Sequence, residues 1–159
     1  MKKIFLALPL ALLTSTSAFA LDPIEKQVQV TAQIPTESFY VEPVGGNWMN
    51  DPQQLGWDAV REQLQPVRKQ LQVKSTTGPI SAYLLSPAVI SSGGNNIGLN
   101  VKVADTVLST SATEVVNAAD AAPGTVVGFE IAAQPAGAGG YVPGNYQGLV
   151  SMIFETPAP

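Results

Sequence analysis

Residues 24–34 read IEKQVQVTAQI and alternate between apolar and polar side chains. The apolar set lies at even positions, where only Lys26 interrupts it, and every odd position is polar. Successive strand side chains point to opposite faces, so this pattern predicts a strand with one buried and one solvated face. Eleven residues extend about 36 Å, and Pro35 ends the strand because it has no N–H to donate. The predicted buried residues are Ile24, Val28, Val30, Ala32 and Ile34, and we expect the Lys26 charge to stay in water.

The residues before this strand predict export. Lys2 and Lys3 precede an apolar run over residues 4–13, and Ala18-Phe19-Ala20 offers a cleavage site before Leu21. This is the pattern of a secretory signal peptide. The alternative, an anchoring amino-terminal helix, is disfavoured by the polar residues 14–17. We therefore predict a signal peptide over residues 1–20.

Composition points away from enzymes, metal sites and nucleic acids. The sequence contains no cysteine and no histidine, which removes common nucleophiles, general bases and metal ligands. Without the signal peptide, twelve acidic residues face six basic ones, and nucleic-acid binding needs a basic surface. Asp51 and Asp58 form no recognisable acid–base pair, and the glycine-rich residues 137–140 lack the lysine and helix of a phosphate loop. We predict no catalytic residues, no metal and no cofactor.

Alternating segments along the rest of the chain predict an all-β fold. Strands are expected near residues 39–41, 67–74, 80–85, 97–103 and 125–132, separated by glycine- and proline-rich turns. Residues 59–65 have the most helix-like composition, and Ser111 with Glu114 has the spacing of a capping box, which predicts one or two helical turns over residues 112–119. About seven short strands without regular helices are typical of an antiparallel sandwich.

The closing segment, residues 146–155, is predicted to be a strand that is apolar on both faces. One face carries Tyr146, Val150, Met152 and Phe154, and the other carries Leu149 and Ile153. Such a strand needs covering on both sides. Only four residues follow it, so we expect another strand to provide the cover. From the residues alone, that strand could belong to the same domain or to another chain.

Trp48 and Trp57 lie in a polar, turn-rich stretch. The simpler interpretation is that they cover one end of the core. The alternative is an exposed contact for a neighbouring subunit or a receptor.

Three segments carry a resemblance to a known family. Residues 24–32, 107–114 and 144–152 resemble segments of the major pilins of alpha-class fimbriae, the colonisation-factor and cable-pilus type. Residues 39–75, which include both tryptophans, depart from that pattern. The resemblance implies an incomplete immunoglobulin-like sandwich over residues 36–159, completed by the amino-terminal strand, residues 21–35, of a neighbouring subunit.

The resemblance also implies partners and site residues. Expected partners are identical subunits, a periplasmic chaperone, an outer-membrane usher and a minor tip adhesin, with the fimbria on the cell surface. Ile24, Val28, Val30, Ala32 and Ile34 would be the donated side chains. The acceptor groove would include Tyr146, Val150, Met152 and Phe154.

Two other functions remain open from the sequence. The chain could be a minor or tip subunit that binds a receptor, although a tip adhesin normally needs an additional domain. It could also be a closed periplasmic sandwich, either an enzyme or an inhibitor.

Overall fold

The structure is a computed structural model that describes residues 38–158. The predicted signal peptide and the predicted strand at residues 24–34 lie outside the described residues. Eleven strands and one α-helix are described, together with a short 3-10 helix at Trp48–Asn50. The strands are β1 Phe39–Pro43, β2 Trp57–Asp58, β3 Gln63–Leu64, β4 Val67–Ser75, β5 Ile80–Leu84, β6 Val89–Ser92, β7 Asn95–Val103, β8 Thr106–Val107, β9 Thr113–Val116, β10 Thr125–Ala133 and β11 Met152–Glu155, and helix α1 is Ala118–Ala121.

The larger sheet is antiparallel and has the order β1-β4-β10-β7-β6, with β8 paired to β7. Its strands form where the sequence alternates. In β4, Leu71 and Val73 face inward and are buried, while the alternating Gln70 and Gln72 are exposed. Strands β7 and β10 follow the same alternation around buried Val101 and Phe129. The strands predicted at 67–74, 97–103 and 125–132 are therefore confirmed.

The smaller sheet has the order β11-β5-β9 and is also antiparallel. Strand β5 confirms the strand predicted at residues 80–85 and buries Ile80, Ala82 and Leu84. These residues form one cluster with the buried residues of the larger sheet, so the core lies between the two sheets. Among the described residues the larger sheet has six strands and the smaller sheet has three. This asymmetry is consistent with an immunoglobulin-like sandwich that lacks a strand.

The helix-like composition of residues 59–65 does not produce a helix. Strands β2 and β3 pair as a hairpin, with Trp57 opposite Leu64, and residues 59–62 form its turn. Short helices are marginal without an apolar face to bury, and Val60 is 94% exposed. Asp58 instead accepts hydrogen bonds from the backbone N–H groups of Val60 and Arg61, both at 3.0 Å, and holds the turn.

The helical turns predicted over residues 112–119 are also wrong. Thr113–Val116 is strand β9, which pairs with β5 and buries Val115 and Val116. Helix α1 begins only after Asn117, whose side chain accepts a hydrogen bond from the Asp120 N–H at 3.0 Å. β-branched side chains prefer a buried strand, and this preference outweighs the capping-box spacing.

The closing strand is shorter than predicted. Strand β11 begins at Met152, whereas Gln147 forms a bridge with Ser91 of β6 through two backbone hydrogen bonds of 2.8 and 3.0 Å. The chain thus crosses from the larger sheet to the smaller one over residues 148–151. Leu149 lies on this crossing and is 83% exposed, so the predicted burial of both faces is wrong at this residue.

No helix within residues 38–158 has the length and apolar character needed to cross a membrane.

Candidate functional site

The described residues form an open, largely apolar groove of about 570 Å³. It runs between the inner face of the larger sheet and the edge of strand β11. Exposed apolar surface of this kind marks a site that binds another protein chain, a membrane or a ligand. Its lining includes Val41 of β1, Val67 of β4, Ile90 of β6, Leu99 of β7, Phe129 and Ile131 of β10, and Val150, Met152 and Phe154 of the closing segment.

Strand β11 forms one wall of the groove. It pairs with β5 on one side, and no other described strand lies along its second edge. Met152 and Phe154 are partly buried and pack against the core while lining the groove. Free strand edges present unpaired N–H and C=O groups that can pair with another strand. The wall therefore offers both apolar side chains and backbone hydrogen-bonding groups.

The structure brings three of the four residues predicted to form the acceptor groove together, and not the fourth. Val150, Met152 and Phe154 line the groove together. Tyr146 is not among the described lining residues, and its hydroxyl donates a 2.8 Å hydrogen bond to the Val142 carbonyl. Their role in binding a donated strand stays a prediction, as does the role of Ile24, Val28, Val30, Ala32 and Ile34, which lie outside the described residues.

Residues 44–55 form a second wall, which lines the groove with Trp48, Met49, Asp51, Pro52, Gln53 and Leu55. Two glycines with positive φ, Gly45 at 82° and Gly46 at 106°, turn the chain away from β1. The 3-10 helix follows and places Trp48 in the groove lining together with Met49 and Leu55. The Gln53 side chain donates hydrogen bonds to the carbonyls of Trp48, at 2.8 Å, and Asp51, at 3.0 Å. These bonds hold the segment in one conformation.

Trp48 is the largest buried side chain of this wall. It is 8% exposed, and its ring packs against Phe129 with ring centroids 5.2 Å apart. The interpretation that Trp48 covers the core is confirmed. Its indole Nε1 is buried and has no hydrogen-bond partner among residues 38–158.

Trp57 lies elsewhere and is 53% exposed. It makes an edge-on contact with Tyr141, with ring centroids 6.1 Å apart. Trp57 therefore does not cover the core, and the simpler interpretation is wrong for this residue.

The crossing segment closes one end of the groove at Gly148. A Cβ atom on this residue would overlap the Val89 carbonyl oxygen and lie 3.0 Å from Cγ2 of Ile90. Only glycine allows the chain to pass this close to β6. Gly148 thus positions Val150 and the start of β11.

Charge is sparse in the groove. Asp51 is the only ionisable acid or base among the described residues that line it. A charge brought into this groove would lose solvation without a compensating network, which is costly. The groove therefore favours an apolar segment.

Asp58 lies in the β2–β3 hairpin and is the other acid considered from the sequence. The pKa of Asp58 is lowered, chiefly because the Arg61 backbone N–H donates a hydrogen bond to the carboxylate. Desolvation raises the pKa and opposes this shift. Hydrogen bonds from the Val60 backbone and from the Gln65 and Arg61 side chains lower the pKa further. Within residues 38–158, no three acidic, histidine or cysteine side chains come together as a metal-binding group.

Sequence reasoning missed the wall formed by residues 44–55 and the floor formed by Phe129 and Ile131. The alternation of β10 placed Phe129 on a buried face but did not show that part of that face remains uncovered. Nothing in the irregular stretch around Trp48 indicates which sheet it covers.

Comparisons with known proteins agree on the fold and the family. A model of the CS1 type fimbrial major subunit matches residues 24–155, which is most of the chain. Among solved structures, the CooA pilin subunit from enterotoxigenic Escherichia coli matches with a TM-score of 0.62 and 18% sequence identity, covering 74% of this chain and 86% of that chain. At this identity the structural match supports the fold alone. A search of curated protein sequences found no match.

Proposed function

The chain belongs to the CS1 type fimbrial major subunit family, and we propose that its subunits join by donating residues 24–34 of one into the groove of the next. The protein is a structural pilin of a surface fimbria, built with other pilin subunits. The proposal concerns how neighbouring subunits are held together. It assigns the role of donor to a strand and the role of acceptor to a groove within the same sequence.

The observation that carries the proposal is the apolar groove beside the edge of β11 that pairs with no strand within residues 38–158. A strand laid along this edge would gain backbone hydrogen bonds, and its inward side chains would cover Met152 and Phe154. Addition of a strand to an exposed sheet edge uses both kinds of contact. Residues 24–34 suit the groove because one face of the predicted strand is apolar and the other polar.

The side chains involved are large enough to stabilise such a joint. Ile24, Val28, Val30 and Ile34 would each contribute about 1.5–3 kcal/mol if fully buried, before the cost of ordering the strand. Each backbone hydrogen bond would add about 0.5–1.5 kcal/mol. Both contributions would stabilise the joint without disulfide bonds, which the chain cannot form because its sequence contains no cysteine.

The same groove bears on how the subunit would reach the cell surface. We propose that residues 1–20 direct export and are removed, leaving residues 21–35 as the donor and residues 36–159 as the sandwich domain. An open apolar groove would aggregate in the periplasm unless covered, so a chaperone would occupy it before an outer-membrane usher orders assembly. A minor adhesin would cap the fibre tip.

The test is Val30→Asp, with Thr31→Asp as its matched control. Val30 lies on the apolar face of the predicted donor, so its replacement places a charge in a desolvated groove. Thr31 lies on the polar face and tolerates a charge in water. We expect Val30→Asp to abolish surface fibres in electron micrographs while the subunit is still exported, and Thr31→Asp to form fibres.

Normal fibres from the Val30→Asp variant would contradict the proposal. Loss of fibres from both variants would also contradict the proposal. That result would show that a charge on the polar face of residues 24–34 is as harmful as a charge on the apolar face.

A further inference from the structure

We propose that Lys26 of the donated strand pairs with Asp51 of the acceptor subunit at the mouth of the groove, and that this ion pair sets the alignment of the strand. The inference rests on the proposed function, because it needs residues 24–34 of a neighbouring subunit in the groove. It goes further by naming the acceptor side chain that meets the one charge on the apolar face of the donor.

Lys26 is the exception in the pattern of the donor. It lies at an even position, on the face that otherwise carries apolar side chains such as Ile24 and Val28. It is also the only basic residue within residues 21–35. Side chains on this face of the strand would point toward the groove, where an ammonium group without water or an opposite charge is costly. The long stem of a lysine can lie along apolar surface and carry the charge to the mouth.

Asp51 is the matching exception in the groove. It is the only ionisable acid or base among the described lining residues, and most of the other lining residues are apolar. Asp51 is exposed, which places it at the mouth of the groove rather than on its floor. Within residues 38–158, no ion pair engages its carboxylate. The groove thus offers one unpaired negative charge to a strand that brings one positive charge.

The backbone of Asp51 is held in place. Its N–H donates a hydrogen bond to the Trp48 carbonyl at 3.2 Å, and its own carbonyl accepts one from the Gln53 amide at 3.0 Å. The Trp48 ring packs against Phe129 of β10, with ring centroids 5.2 Å apart, and this contact ties the segment to the larger sheet. The carboxylate is therefore carried at a fixed place along the groove.

The consequence is a preferred register of the donated strand. Apolar pockets tolerate a shift of two residues along an alternating strand, because the same face stays inward. Such a shift moves every side chain by about 6.6 Å, which separates Lys26 from Asp51 and brings an apolar side chain beside the carboxylate. An exposed ion pair contributes little free energy, but complementary charges fix the alignment of two surfaces. The pair would therefore select one register more than it strengthens the joint.

The experiment exchanges the two charges in the full chain. Fibres of Lys26→Glu, of Asp51→Lys and of the double variant are compared for their rate of depolymerisation in urea, a denaturant that adds no salt. Each single reversal brings two like charges together, so we expect depolymerisation to be roughly fivefold faster than in the unchanged protein. The double variant restores an opposite pair and should return close to the original rate.

Two controls accompany the charge exchange. Glu114→Lys reverses an exposed acid that is not among the lining residues of the groove, and we expect it to leave the rate unchanged. The effect of each single reversal should shrink in about 1 M salt, because dissolved ions screen exposed charges.

Carbodiimide coupling of the unchanged fibres gives a second measurement, which does not depend on how the variants fold. The reagent joins an amine to a carboxylate that lies next to it. Fibres are assembled from a mixture of unlabelled and ¹⁵N-labelled subunits, coupled, digested and analysed by mass spectrometry. We expect a peptide in which Lys26 of one subunit is joined to Asp51 of another.

Single reversals that depolymerise at the original rate would overturn the inference, and so would a double variant that depolymerises as fast as the single ones. Coupling of Lys26 to a different carboxylate, with none to Asp51, would overturn it as well. These failures leave the proposed function standing as long as Val30→Asp abolishes fibres. Normal fibres from Val30→Asp would instead remove the proposed function itself.

Discussion

Gly148 shows how a single residue shapes the groove. It lies where the closing segment passes β6, and its missing side chain allows the bridge between Gln147 and Ser91. The atoms that a Cβ would meet belong largely to the backbone of Val89 and Ile90, which cannot move without disturbing the sheet. The position of Val150 and the start of β11 therefore depend on this glycine.

Gly148→Ala is expected to destabilise the subunit by about 1–3 kcal/mol, the usual cost of forcing extra volume into a packed site. The measurement is the free energy of unfolding of the purified subunit in guanidinium. Gly139→Ala is the matched control, because a Cβ there would meet nothing within 4 Å. Equal stability of the two variants would show that the crossing segment is not constrained at Gly148.

At the scale of elements, the β2–β3 hairpin depends on Asp58. Its carboxylate accepts from two backbone N–H groups and forms an ion pair with Arg61 at 3.3 Å. The pKa of Asp58 lies below its usual value, and the largest cause is the backbone hydrogen bond from Arg61. A carboxyl with a lowered folded-state pKa adds stability above its unfolded-state pKa and loses it as the pH falls through the folded-state pKa.

Arg61→Gln separates the effect of the Arg61 side chain on the pKa of Asp58 from the effect of the Arg61 backbone N–H. The substitution removes the ion pair but keeps the backbone N–H, so we expect the pKa of Asp58 to remain below its ordinary value. The hairpin should then keep its native signals in acid until Asp58 is protonated. The measurement is an NMR titration of the Asp58 carboxyl in both proteins. A full return to the ordinary pKa in Arg61→Gln would assign the effect to the side chain instead.

The main strands could be predicted because burial of one face imposes a period of two on the sequence, as in β4, β7 and β10. The structure of residues 59–65 and 112–119 could not be predicted, because the local helix signals there are weak and strand pairing outweighs them. The β11 wall of the groove was predictable from the excess of apolar residues in the closing segment. The Trp48 wall was not, because an irregular segment has no period and its partner, Phe129, is 81 residues away.

At the scale of the whole molecule, the proposed joint is head-to-tail and connects two different surfaces of one sequence. Such contacts do not close on themselves and so generate filaments. The proposed donor and the proposed acceptor both lie within the residues that the family model matches, 24–155. Under this proposal, fibre growth would follow from the geometry of the subunit.

The central claim is that the groove holds residues 24–34 of another subunit, and engineered cysteines test it most directly. The chain has no native cysteine, so any disulfide comes from the introduced residues. Met152→Cys is combined in turn with cysteine at Val28, Val30 or Ala32, and with Gln29→Cys or Thr31→Cys as controls on the polar face. Single-cysteine variants exclude bonds between identical positions, and a disulfide requires Cα atoms about 4.4–6.8 Å apart.

We expect at least one apolar-face pair to give a ladder of covalent multimers on a non-reducing gel, which collapses to monomer on reduction. The polar-face controls should give no ladder. A bond formed within one chain, seen as a cross-linked monomer, or a ladder of equal intensity from the polar-face controls, would contradict donation between subunits.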